Sequence, residues 1–184
     1  MQLLECVNTC LSAMGEARVT SPTVRHPTVD LINSTIVMKK RQLLEKGWYF
    51  NKSEVKMFPA LDGTMEYPVD TLSVVGACGE ILVPRGGKLF DMDNNTNQFT
   101  EPKTLFIAYD VEFEDLPECA ANVIMYRSAR EVYVGDLGAD TSVQNMLANE
   151  VASYSTLELL HIRNMRYSTR QLPGWVKLRR ALRN

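Results

Sequence analysis

Apolar side chains recur at helical spacing near both ends of this chain and alternate with polar ones through its middle third. Residues 2–14 place Leu3, Val7, Leu11 and Met14 on one stripe, and Gly15 supplies the stop. A loop marked by Ser21-Pro22 and His26-Pro27 follows, and a second helix is predicted over 28–46. There Val29, Ile32, Ile36 and Leu43 point inward, and Lys39, Lys40 and Arg41 are expected in solvent. Gly47 is the expected residue just past the helix end, with Lys46 against the negative end of the helix dipole.

Three aromatics, Trp48, Tyr49 and Phe50, stand at the exit of that helix. Read as an extended run, Trp48 and Phe50 anchor one side and Tyr49 the other, a hydrophobic pin between two subdomains. From 51 to 113 the signals are those of strands: 53–57, 71–75, 80–83, 88–90 and 104–109. Turn chemistry separates them at Asp62-Gly63, Tyr67-Pro68, Gly76, Gly79 and Asp93-Asn94-Asn95. Gly86-Gly87 reads as the tip of a hairpin between 81–84 and 88–90. The cations flanking that tip, Arg85 and Lys88, are candidate contacts for DNA or a neighbouring subunit; the spacing is not that of a phosphate-binding loop.

At Asp115-Leu116-Pro117-Glu118 the chain turns helical again. Asp115 is the predicted N-cap, Glu118 its capping-box partner, and Leu116, Ala120, Val123 and Ile124 follow at core spacing until Gly135 and Gly138. Asp140 then caps a long helix over 141–165, whose stripe is read as Val143, Leu147, Val151, Tyr154, Leu157 and His161. The resulting fold class is α+β, an antiparallel helical bundle with an inserted antiparallel β platform. Its parts are the bundle's first half (1–50), the platform (51–114), the bundle's second half (115–166) and a basic C-terminal arm (167–184).

Charge sharpens the last boundary. The net charge is −2, but residues 167–184 carry Arg170, Lys177, Arg179, Arg180 and Arg183 with no acid, a segment of +5 on a body of −7. Such an arm seeks an acidic partner. A chain of 184 residues with no long apolar run and no basic leader is expected to be one soluble domain made in the cytosol, without a membrane span. Cys6, Cys10, Cys78 and Cys119 form no disulfide framework and are expected to be buried thiols. The two histidines, His26 and His161, join no metal-ligand pattern, and no cofactor is implied.

Nor does an active site assemble from the sequence. No activated serine or cysteine pairs with a histidine. The nearest approach to catalysis is the set Asp91, Asp93, Asp110 and Glu112, which as paired carboxylates would make a carbohydrate-degrading protein. A further alternative is a nucleic-acid-binding protein acting through the C-terminal arm, with affinity that falls steeply with salt.

Three stretches together resemble the tail tubular protein A family, the head-to-tail adaptors of short-tailed podovirus-type bacteriophages. They are 4–11 running into Met14-Gly15-Glu16, then 44–51 with its Gly47-Trp48-Tyr49-Phe50-Asn51, then 115–118 followed by Ile124 and Ala129-Arg130. The hairpin at 83–91 reinforces them. The sequence departs from the family where Ala17-Arg18-Val19 replaces an expected Pro-Val pair after Glu16. The resemblance implies a virion protein forming a dodecameric ring between the portal and the tail nozzle (tubular protein B), with viral DNA passing through its lumen. The resemblance covers roughly residues 4–140, and the last forty-odd residues, the arm among them, match no motif of that family. The arm's docking onto an acidic portal surface, with Trp175 as anchor and Arg170, Lys177, Arg179, Arg180 and Arg183 as partners, is inferred from charge alone.

Overall fold

The computed structural model describes residues 1–165, so the arm at 167–184 and its six candidate docking residues lie outside the described part. The elements run α1 (Leu3–Ala13), α2 (Pro27–Leu44), β1 (Lys52–Met57), β2 (Thr71–Gly76), β3 (Leu82–Arg85), β4 (Lys88–Asp91), β5 (Lys103–Tyr109), a 3-10 turn (Phe113–Asp115), α3 (Glu118–Leu137) and α4 (Thr141–Asn164). All five strands fall between α2 and α3, in the predicted order.

Helix α3 is the centre of the bundle. It packs against α1, α2 and α4, and Ala120, Ala121, Val123 and Ile124 are fully buried in one apolar cluster with Val7, Leu11, Ile32, Leu43 and Leu157. The small residues at 120 and 121 let neighbouring helices approach closely, and each buried leucine or isoleucine contributes on the order of 2 kcal/mol. The start of α3 differs from the capping-box reading. Pro117 occupies the cap position with no side-chain hydrogen bond, Asp115 closes the preceding 3-10 turn, and Glu118 pairs with the Met1 ammonium at 2.7 Å. Pro117 presets the extended backbone that precedes the helix, and its ring leaves no N–H to satisfy. Gly135 lies inside α3, and Gly138 ends it.

The platform holds two antiparallel sheets. The larger has the order β1-β5-β2, with Val55 opposite Leu105 on one edge and Val74 opposite Ile107 on the other. The smaller is the hairpin β3-β4, in which Arg85 faces Lys88. Gly86 and Gly87 both have positive φ, as a two-residue hairpin tip with the right-handed strand twist requires. The inner faces meet in a second cluster of Met65, Leu82, Leu89, Phe99, Leu105 and Ile107.

Candidate functional site

Among the described residues, two helices expose apolar surface that no other element covers. On α4 the residues facing α3 are Val143, Met146, Glu150, Tyr154 and Leu157, of which Leu157 is fully buried. The sequence reading placed Leu147 and Val151 on this inner face. Instead Leu147, Val151, Leu159 and Ile162 point outward, the last three more than half exposed. Each step of four residues advances the helical position by about 40°, so a stripe followed by fours drifts off the buried face. The buried position at that level belongs to Glu150. Its carboxylate takes a 2.7 Å bond from Arg127 Nε and a 3.0 Å bond from Arg130 Nη2, so two guanidinium groups on α3 hold α4 in register. Arg127 also lies over the Tyr154 ring, and Lys46 Nζ bonds the Tyr154 hydroxyl at 3.0 Å.

A groove of about 670 Å³ separates the outer face of α2 from the last turns of α3. Leu31, Met38 and Val132 give it apolar walls, and Glu16, Glu131 and Asp136 bring carboxylates to its rim. Among the described residues no basic side chain lines it. Lys39, beside it, is paired with Glu131 at 2.6 Å.

The aromatic run at 48–50 forms a tight turn, not an extended segment. Trp48 is buried with its indole N–H donated to Leu43 O at 2.7 Å, and its ring meets the edges of Tyr154 and His161. Phe50 packs onto the same cluster and touches the edge of Tyr49. Gly47 has φ of 72°, a backbone conformation that strains any residue with a side chain, although a Cβ there would meet Lys52 and Ala108 only at ordinary contact distance. The organiser of this turn is Asn51, which in the sequence stood only as the last residue of a motif and was assigned no role. It accepts from Trp48 N at 2.7 Å and donates to Leu44 O and Tyr109 O. His161 accepts from the Tyr49 backbone N–H through Nδ1, and burial, with Lys52 adding to it, holds its pKa below the ordinary histidine value. Lys40, read as solvated, is buried: its ammonium donates to Val111 O and lies 2.9 Å from Asp110 Oδ1.

On the platform, the two hairpin cations are engaged locally. Arg85 stacks on the Phe90 ring at 3.9 Å, and Lys88 reaches Asp62 and Thr64. The Thr64 N–H and hydroxyl, with Lys88 beyond them, hold the Asp62 carboxyl down at about 2. Asp91, a candidate acid, is a turn residue: Asn94 and the Asp93 and Asn94 N–H groups donate to it and hold its pKa down. Asp93 accepts from Ile81 N. Asp110 is tied to Lys40 and Arg41, and Glu112 is exposed beside the 3-10 turn. Cys6 and Cys10 are buried free thiols, but Cys78 is exposed and Cys119 half-buried, against the expectation of four buried thiols. Among the described residues no group of three or more His, Cys, Asp or Glu could hold a metal ion.

The described residues thus form a helical bundle carrying a β platform, with exposed apolar faces on α2 and α4. Residues 4–171 match the tail tubular protein family, and the chain belongs to that family. Tail tubular protein A of Klebsiella phage KP34 is 34% identical over 183 residues, which is 98% of each chain. The chain is accordingly a structural component of a phage tail. Among the described residues no helix is long and apolar enough to cross a membrane.

Proposed function

We propose that this subunit builds the adaptor ring joining the portal to the tail nozzle, with DNA leaving the head through the ring's lumen. The observation that carries the reading is the pair of unlike apolar surfaces, the outer stripe of α4 and the groove between α2 and α3. When one face of a subunit meets a different face of the next, the contact is heterologous, and such contacts form a ring when the rotation between neighbours closes. Each lateral interface needs at least about 1,000 Å² for stability. A ring of twelve copies is the expected closure, taken from the family resemblance.

In this reading the platform is seated on the bundle by the turn at Trp48 and Phe50. Arg85 and Lys88 at the hairpin tip face DNA or a neighbouring subunit. The arm residues Arg170, Trp175, Lys177, Arg179, Arg180 and Arg183 grip an acidic portal surface by charge-assisted hydrogen bonds around an aromatic anchor. Deleting 167–184 is expected to leave a folded protein that no longer binds portal in a pull-down at matched salt. Undiminished capture of the truncated chain would contradict the docking role.

A further inference from the structure

We propose that the α2–α3 groove is a resting site for the C-terminal arm of the same chain, occupied before the portal draws the arm away. The inference rests on the adaptor reading for its second half and on the groove's own chemistry for its first. Leu31 and Met38 leave an apolar trough open, and Leu31 is 53% exposed. A bare trough of this kind on a free subunit invites non-specific association.

The arm's sequence is its complement. Trp175, Leu178, Ala181 and Leu182 recur at intervals of three and four, and Lys177, Arg179, Arg180 and Arg183 fill the positions between. Apolar side chains on that spacing fit the trough, while the cations reach the carboxylates of Glu16, Glu131 and Asp136 on its rim. Asp136 is exposed, with no cation paired to it among the described ion pairs.

Reach is sufficient. The pairing of Glu150 with Arg127 and Arg130 fixes the level of α4 beside α3, and α4 ends at Asn164. From Glu150 to that end the helix rises about 21 Å. The eleven residues on to Trp175 span up to about 36 Å when extended, enough to come back along the bundle to the turn of α3 that carries Glu131.

Occupation has a consequence for assembly. While the arm covers the groove, a neighbour's α4 stripe has nowhere to dock. An acidic portal surface that takes the arm uncovers the groove, so lateral contacts form where the portal is. Ring growth is thereby confined to the vertex.

The test uses the full chain with a benzoylphenylalanine photo-crosslinker at Leu31, or at the exposed Ser34 as a second site, irradiated at low micromolar concentration. A mixture of isotopically heavy and light protein separates links within a chain from links between chains. The expected result is linkage to peptides from 170–184 within one chain, reduced at least threefold by Asp136→Lys and by half-molar salt, and reduced again when portal is added. Absence of links to the arm, or links only between heavy and light chains, would overturn the proposal. Portal capture by the same protein is measured alongside. Capture without the cross-link removes only this inference, and the cross-link without capture keeps the groove contact but removes the adaptor reading.

Discussion

Asn51 donates from Nδ2 to the Tyr109 carbonyl at 2.8 Å, and this bond ties the exit of α2 to the end of β5. The same amide group serves Leu44 O, and its oxygen takes the Trp48 N–H, all at buried positions. One side chain thus fixes the turn between bundle and platform. Replacing it leaves several buried polar groups unpaired, each costing about 1–3 kcal/mol. Asn51→Ala is expected to lower stability by about 3 kcal/mol in urea unfolding, and a loss below about 1 kcal/mol would contradict this role.

The link between α3 and α4 makes a different prediction. Glu150 is 7% exposed between Arg127 and Arg130, which themselves reach solvent. Removing one partner from a fully buried ion pair costs about 3–5 kcal/mol, and the wet arginines reduce that. Glu150→Ala should therefore cost about 2 kcal/mol, read from the denaturant midpoint. The double change with Arg130→Ala should cost less than the sum of the two singles.

His161 predicts a pH effect with a definite sign. Burial first, and the charge of Lys52 second, disfavour the imidazolium, so its pKa lies below the ordinary value of 6.5, and its neutral Nδ1 accepts from Tyr49 N–H. The stability it lends is present above about pH 6.5 and is lost as pH falls through the depressed folded pKa. A melting series from pH 8 to pH 5 should show this loss, and His161→Gln should flatten it. An identical slope in the variant would show that other groups are responsible.

Asp62 gives the corresponding test on the platform. Its carboxyl is held at about 2 against an ordinary 3.8, first by Thr64 and then by Lys88. Depression of an acid means stability that is full above the unfolded pKa and fades as pH falls toward the folded one. The melting-temperature gap between the wild type and Asp62→Asn should be open at pH 6 and close on approach to pH 2.

Most of the fold was legible because its signals are local. Alternating strands bounded by glycine turns gave all five strands, and Asp140 caps α4 through bonds from Ser142 N and Val143 N. Strand order was not legible, since the placement of β5 between β1 and β2 depends on contacts distant in sequence. The faces of α4 were misread for a physical reason. A helix that packs on one side and exposes apolar residues on the other shows two stripes, and hydropathy alone does not rank them. Here the charged residue, Glu150, is the inner one because Arg127 and Arg130 neutralise it. Lys40 was misplaced likewise, its burial made tolerable by Val111 O and Asp110. A glutamate spaced to meet two arginines of another helix leaves no mark in a one-dimensional pattern.

The outer stripe of α4 separates assembly from folding. Val151→Asp places a charge on exposed apolar surface and should leave the melting temperature within a few degrees of wild type. Leu157→Ala, at a fully buried position, should instead cost about 2–5 kcal/mol. In sedimentation with portal present, the Val151 variant is expected to remain a single subunit. Rings of normal size from that variant would remove α4 from the lateral interface.

Negative-stain electron microscopy of the full chain mixed with purified portal tests the central claim most directly. The account predicts closed rings of about twelve copies seated on the portal, the ring interfaces each exceeding about 1,000 Å². Particles that stay single at every concentration, with the portal left bare, would contradict it.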